Sequence, residues 1–283
     1  MKQFKLILSF LSILSLTSCE KEDLSNVIYT SIYPVYDLTQ RIVGDKYEVK
    51  VLTPNKVEPH EYEPTAKEIV ALTEAKAMFI NGLSMESYYD VFPDSLKNKT
   101  YIVSKDIETK RIDNIVDSHI WLSINNAISE MKNILDYMKI IDEENYHYYL
   151  NNYNNEVDKF SSLYNEYKSK FEALNNKYLL VSHAAFNYLC SDFNLTQIYI
   201  SGLSSYEEPS AKTIENVIKK SKEYHISTIF YEEEVSDEVA KKIAKEANLK
   251  TDNLYSLETN GEENEDYLSL MRINYNKILE ANK

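Results

Sequence analysis

The chain has 283 residues, 43% hydrophobic and 27% charged, a balance that suits one large folded unit or two ordinary ones without disulfide staples. Acidic residues outnumber basic ones 45 to 31, and a formal charge of −14 argues against nucleic acid as a partner because phosphate backbones are repelled. The four glycines (44, 82, 202 and 261) are too dispersed for a dinucleotide fingerprint or a phosphate loop, no GxSxG elbow occurs, and Pro64 stands where a zinc-protease helix begun at His60-Glu61 needs its second histidine.

The N-terminus reads as an address. Lys2 and Lys5 precede an apolar run over residues 6–16, which is too short to span a bilayer and has the length of a signal-peptide core. It ends in Leu16-Thr17-Ser18-Cys19, which resembles a bacterial lipobox and implies cleavage before Cys19 with lipid attached to its thiol. Residues 1–18 are then a lipoprotein signal peptide and 19–26 a tether, with plain secretion as the competing reading. With Cys19 committed to lipid, the remaining cysteine, Cys190, has no disulfide partner and reads as a buried thiol.

From residue 27 short apolar runs alternate with helical patterns. Strands are expected at 27–31, 47–52, 77–80 and 100–103, with helices at 34–42 and at 66–75, the second capped by Thr65. Such alternation predicts a parallel sheet covered on both faces, a first α/β lobe over 27–142. Tyr146, Leu150, Tyr153, Val157, Phe160, Tyr164, Tyr167, Phe171 and Leu174 then recur at 4-3 spacing. This stripe predicts one helix about 48 Å long within 143–175. Its aromatic content and the immediate return of strands favour a helix linking two lobes over a coiled coil. A second α/β lobe over 176–283 follows, with strands expected at 178–182, 197–200, 226–231 and 254–257 and helices at 210–224, 237–247 and 267–282.

Three of the five histidines fall where open α/β sheets place ligands, beyond the carboxyl ends of strands. His60 follows the second strand, His119 follows the last strand of the first lobe, and His183 follows the first strand of the second. They can converge only across a cleft between lobes. Gathered neutral imidazoles suit a transition metal, zinc above all, and Glu258 stands at a matching strand end to supply a fourth donor. His147, among the tyrosines of the long helix, and His225, at the wrong end of a strand, read as structural. Glu58, Glu61 and Asp117 are candidates to orient the rings.

Several segments make a resemblance specific: Thr30-Ser31-Ile32-Tyr33-Pro34, Glu58-Pro59-His60-Glu61-Tyr62-Glu63-Pro64-Thr65, Asn81-Gly82-Leu83, His119-Ile120-Trp121-Leu122, Ser182-His183-Ala184-Ala185-Phe186-Asn187-Tyr188-Leu189, and Ser201-Gly202-Leu203 leading into Glu208-Pro209-Ser210. In this order the sequence resembles the solute-binding lipoproteins of bacterial zinc and manganese ABC transporters, over essentially the whole mature chain. The resemblance implies two α/β lobes joined by a long helix, and a metal in the interlobe cleft held by His60, His119, His183 and an acid in the segment of Glu258. Water or Glu233 is the alternative fourth donor.

Manganese members of the resembled family tend to carry a carboxylate where His183 stands, so zinc is the expected cargo and manganese or iron the alternative. The resemblance further implies a monomer held by its lipid at the outer face of the cytoplasmic membrane. It would deliver Zn2+ to an ABC permease and its ATPase, with no catalytic role. Ser118 stands in place of a usual proline, Asn55-Lys56-Val57 in place of a glycine-bearing turn, and the histidine-rich loop of many zinc members is missing between residues 83 and 117. Because the rings must be neutral to bind, affinity is expected to fall as pH drops through about 6. A metal-dependent hydrolase and a metal-stabilised adhesin are the rival classes.

Overall fold

Short apolar runs between well-capped helices become parallel strands in each half of the chain. The computed structural model describes residues 23–203, 209–232, 238–259 and 265–283; the signal peptide, Cys19, Glu208 and Glu233 lie outside them. Val27–Thr30 (β1) leads into Tyr33–Val43 (α1), whose first turn accepts Pro34 because that N–H needs no helical partner. Glu48–Val51 (β2) precedes Ala66–Glu74 (α2), which opens with a reciprocal cap. Glu68 N donates to Thr65 Oγ1, and Thr65 N donates to the Glu68 carboxylate. Ala77–Ile80 (β3), Asp94–Lys97 (α3) and Thr100–Ile102 (β4) complete a parallel sheet of order β2-β1-β3-β4. Every residue of β3 is buried, as an inner strand covered on both faces requires.

Arg111–Ile112 (β5) and Ile115–Val116 (β6) then form an antiparallel hairpin, turning through Asp113 and Asn114, both at positive φ. Ser123 caps Ile124–Ile141 (α4). A corner at Asp142, which accepts from Tyr149 Oη and Asn145 Nδ2, is followed by a 3-10 turn. The long helix therefore runs over Tyr146–Glu172 (α5), 27 residues and about 40 Å. The second lobe comprises Tyr178–His183 (β7), Asn187–Asp192 (α6), Thr196–Ser201 (β8), Ala211–Glu223 (α7), Thr228–Glu232 (β9), Glu238–Ala247 (α8), Lys250–Leu254 (β10) and Tyr267–Ala281 (α9). Its parallel sheet has the order β10-β9-β7-β8.

The last strand differs from the expected 254–257. Lys250 to Leu254 pair in register with Thr228 to Glu232, at the edge of the sheet, where solvated residues such as Lys250, Thr251 and Asp252 serve as well as apolar ones. Glu258 consequently lies in the loop four residues beyond the strand.

The aromatic stripe does link the lobes. Phe160 stacks on Tyr267 at 5.2 Å and Phe171 on Phe193 at 4.2 Å between centroids. One buried cluster extends from Ile28 and Leu38 through Phe160 and Phe171 to Val181 and Tyr275. Beside it, Arg41 of α1 meets Asp37, Glu156 of α5 at 2.8 Å and Asp266, the cap of α9, at 3.0 Å.

Glu130 of α4 is fully buried, and neither carboxylate oxygen has a hydrogen-bond partner among the described residues. Burial, with the nearby Glu86 charge, pushes its pKa up to about 8. The folded chain thus keeps a proton that the unfolded chain sheds near 4.5, so this side chain withdraws stability as pH rises through that window. Thermal melts of metal-free Glu130→Gln should exceed wild type by at least about 3 °C at pH 8.5 and converge with it at pH 5. An equal shift at both values would contradict the assignment.

Candidate metal centre

Each candidate donor sits on a short, locally determined turn. Pro59 starts a one-turn 3-10 helix over Pro59–Glu61, and the Glu58 carboxylate caps it by accepting from His60 N at 3.2 Å. His119 caps the 3-10 turn Ile120–Leu122, just beyond the hairpin. His183 is the last residue of β7 and opens another such turn, Ala184–Phe186. Glu258 follows Leu257, which takes φ 60°, a left-handed conformation costly for a branched side chain and one that turns the chain at that point.

His60, His119 and Glu258 each bring one ligand atom into a group spanning no more than 4.8 Å. His119 Nε2 lies 2.8 Å from Glu258 Oε1 and 3.3 Å from His60 Nε2, while His60 Nε2 is 3.7 Å from Glu258 Oε1. Donors on a tetrahedral ion with bonds of about 2.0 Å stand about 3.3 Å apart, so one small cation fits among these three atoms. The His183 ring packs edge-on to His119 at 4.9 Å between centroids, but its nitrogens point elsewhere. Nδ1 lies 2.6 Å from Glu232 Oε1 and Nε2 2.9 Å from the Leu203 carbonyl. His119, His183 and Glu258 are buried, while His60 retains 17% side-chain exposure at the mouth.

The electrostatics of the three rings differ sharply. Burial disfavours charge on His119, but hydrogen bonds from Nδ1 to Asp117 Oδ1 (2.8 Å) and from Nε2 to Glu258 outweigh it and hold its pKa up at about 10. His183 is likewise raised, because the Glu232 charge overcomes its burial, and Glu232 is lowered against its own burial by the same pairing. Both nitrogens of each ring face acceptors, which calls for the doubly protonated form. His60 is the opposite case: burial, only partly offset by Glu258, pushes its pKa down to about 4.

Of the three residues proposed to orient the rings, Asp117 grips His119 directly, Glu58 holds the backbone of His60, and Glu61 is exposed. Glu232, the partner of His183, was missed. The acidic run 232–234, which opens on the last residue of β9, was its only signal, and from that run the sequence offered Glu233, one position along, as an alternative fourth donor. His147 packs against Tyr146, at 6.2 Å between centroids, and the His225 carbonyl accepts from Asn176; neither is among the grouped donors. Cys190 is buried and free, its thiol pushed up by burial.

Two parallel-sheet lobes on a common long helix, with imidazole and carboxylate groups from both meeting in the cleft between them, define the two-lobed metal-binding receptors. The model of one family, zinc-uptake complex component A, periplasmic, matches residues 28–281, and the chain belongs to that family. The high-affinity zinc uptake system protein ZnuA of Bacillus subtilis (strain 168) is 30% identical over 276 residues, covering 90% of this chain and 86% of that protein. The Zn(II)-bound ZnuA-like domain of Streptococcus pneumoniae AdcA superposes with a TM-score of 0.81 at 32% identity, over 91% of this chain and 99% of that one. The laminin-binding protein Lmb of Streptococcus agalactiae, described as a bifunctional protein with adhesin and metal transporting activity, superposes with a TM-score of 0.87 at 27% identity, over 92% and 100%.

The protonation pattern alters the pH expectation. A proton on His119 competes with a metal throughout the neutral range, not only below about 6, and the raised His183 acts in the same direction, whereas His60 does not compete above pH 5. Between pH 6 and 8, zinc affinity should rise at least roughly tenfold per pH unit. Calorimetry in buffers of different ionisation enthalpy should show at least about one proton released per zinc at pH 7. A flat affinity and no proton release would contradict it.

Proposed function

We propose that this chain is an extracytoplasmic zinc receptor, holding Zn2+ between His60, His119, His183 and Glu258 and passing it to an ABC permease driven by its ATPase. The observation that carries the reading is the convergence of His60 and His119 from one lobe with Glu258 from the other, within 4.8 Å. For His183 to join, its Nε2 must leave the Leu203 carbonyl and turn toward His119 and Glu258; Glu232 stays on Nδ1 and keeps Nε2 as the free donor. Three imidazoles with one carboxylate suit zinc better than manganese or iron, which favour more oxygen. Four protein donors leave no position for an activated water, so the centre is a carrier rather than a catalyst.

Attachment follows from the lipobox-like Leu16-Thr17-Ser18-Cys19, with lipid on Cys19 holding a monomer at the outer face of the cytoplasmic membrane. No helix among the described residues is long and apolar enough to cross a membrane. The likeness to laminin-binding proteins favours one second reading, that of an adhesin. Zinc-limited growth of a deletion strain, rescued by added zinc, would separate transport from adhesion.

The test is metal content by mass spectrometry on chelator-stripped protein beginning at Glu20, re-exposed to equal zinc and excess manganese. One zinc per chain is expected, falling to below about 0.1 after washing in His183→Ala. Manganese loading would reassign the cargo, and no tightly held metal would defeat the reading.

A further inference from the structure

The segment bearing His119 belongs to the first lobe but is fastened to the second. Tyr188, at the start of α6 and five residues after His183, is 2% exposed. Its hydroxyl accepts from Lys110 N at 2.9 Å and donates to the Asp117 carbonyl at 2.8 Å. Asp117 N in turn donates to the Lys110 carbonyl at 2.9 Å, so one hydroxyl from the second lobe closes the open end of the β5–β6 hairpin. Immediately beyond that closure, Asp117 Oδ1 accepts from both His119 N (3.0 Å) and His119 Nδ1.

The other oxygen of this carboxylate, Oδ2, is buried and has no hydrogen-bond partner among the described residues. Outside His119 itself, the direction of the Asp117 side chain is therefore set by its backbone, and that backbone is what Tyr188 holds. Tyr267 and Ser256 also reach this segment from the second lobe. Tyr267 Oη donates to the Trp121 carbonyl, and Trp121 Nε1 donates to the Ser256 carbonyl at 2.8 Å. Those contacts fix the chain after His119 and do not touch the group that grips the ring.

We infer that Tyr188 is a positioning residue for the metal centre. Through Asp117 it aims His119 Nε2 at the cleft, and so couples the turn that carries His183 to the donor contributed by the opposite lobe. The inference rests on the zinc-receptor reading above. Removing the hydroxyl leaves Lys110 N and the Asp117 carbonyl unpaired in a buried place, and the hairpin relaxes by moving Asp117. The metal then meets an imidazole pointing in a changed direction. Loss of a group supporting a ligand typically weakens metal binding 10- to 100-fold, and Tyr188, one step further removed, belongs near the lower figure.

The experiment compares wild type, Tyr188→Phe and Tyr275→Phe. Tyr275 is an equally buried tyrosine whose hydroxyl has no hydrogen-bond partner among the described residues. Zn2+ affinity is read by competition with a chromogenic chelator, and site geometry by the visible absorption of the Co2+-loaded protein. Tyr188→Phe should bind one metal roughly tenfold more weakly with altered Co2+ bands, while Tyr275→Phe matches wild type. Wild-type affinity and an unaltered Co2+ spectrum in Tyr188→Phe would overturn the inference, as would equal losses in both variants. Should wild type itself take no zinc, the receptor reading fails separately, and the imidazole 15N shifts of His119 in metal-free protein decide. A change in Tyr188→Phe supports positioning, and identical shifts refute it. If Tyr188→Phe is too unstable to assay, 3-fluorotyrosine at 188, which keeps the hydroxyl and changes its hydrogen-bonding strength, is read by the same shifts.

Discussion

His119 Nε2 and Glu258 Oε1 lie 2.8 Å apart although 139 positions separate them in the chain and they come from different lobes. Two buried polar groups from separate sheets stay at that distance only if the sheets are held in one relative position, and much of the chain is devoted to this. The aromatic face of α5 is shared by both halves of the core. Arg41 draws α1, α5 and the half-exposed cap of α9 into one ion cluster, where losing either buried acid, Asp37 or Glu156, would leave the guanidinium undercompensated. Bonds from Tyr188 and Tyr267 bind the His119 segment directly to the second lobe.

The same arrangement explains how the centre copes without a metal. Several carboxylates and three imidazoles packed together would be costly to bury as bare charges. His119 and His183, both raised, pair instead with Asp117, Glu258 and Glu232, and His60, held low and partly exposed, completes the group. In the proposed site a metal would displace the His119 proton, which links binding and release to proton movement.

Much of this was legible from residue patterns. His60 stands beyond the end of β2 and His183 ends β7, because parallel sheets present their loops at the carboxyl ends of strands, and that placement needs only the strand positions. His119 instead follows the antiparallel β5–β6 hairpin, which the strand pattern does not reveal. Thr65 announces its cap, and the 4-3 aromatic stripe announces the long helix, because each is local chemistry. What escaped was non-local or polar. The β5–β6 hairpin consists of two-residue strands around Asp113 and Asn114, too short for any periodicity. The edge strand β10 carries Lys250, Thr251 and Asp252, which apolar patterning passes over. Glu232 is one carboxylate in a run of three, and only the register of β9 selects it. The contact of Tyr188 with Asp117 joins residues 71 apart, and no spacing rule encodes that.

The central claim is that one cation is held jointly by the two lobes. Anomalous diffraction at the zinc edge, on crystals of zinc-loaded protein, tests it most directly. The account predicts a single peak within bonding distance of His60 Nε2, His119 Nε2 and a Glu258 oxygen, with His183 Nε2 turned from Leu203 to join them. A peak held by residues of one lobe alone, or none in the cleft, would contradict it.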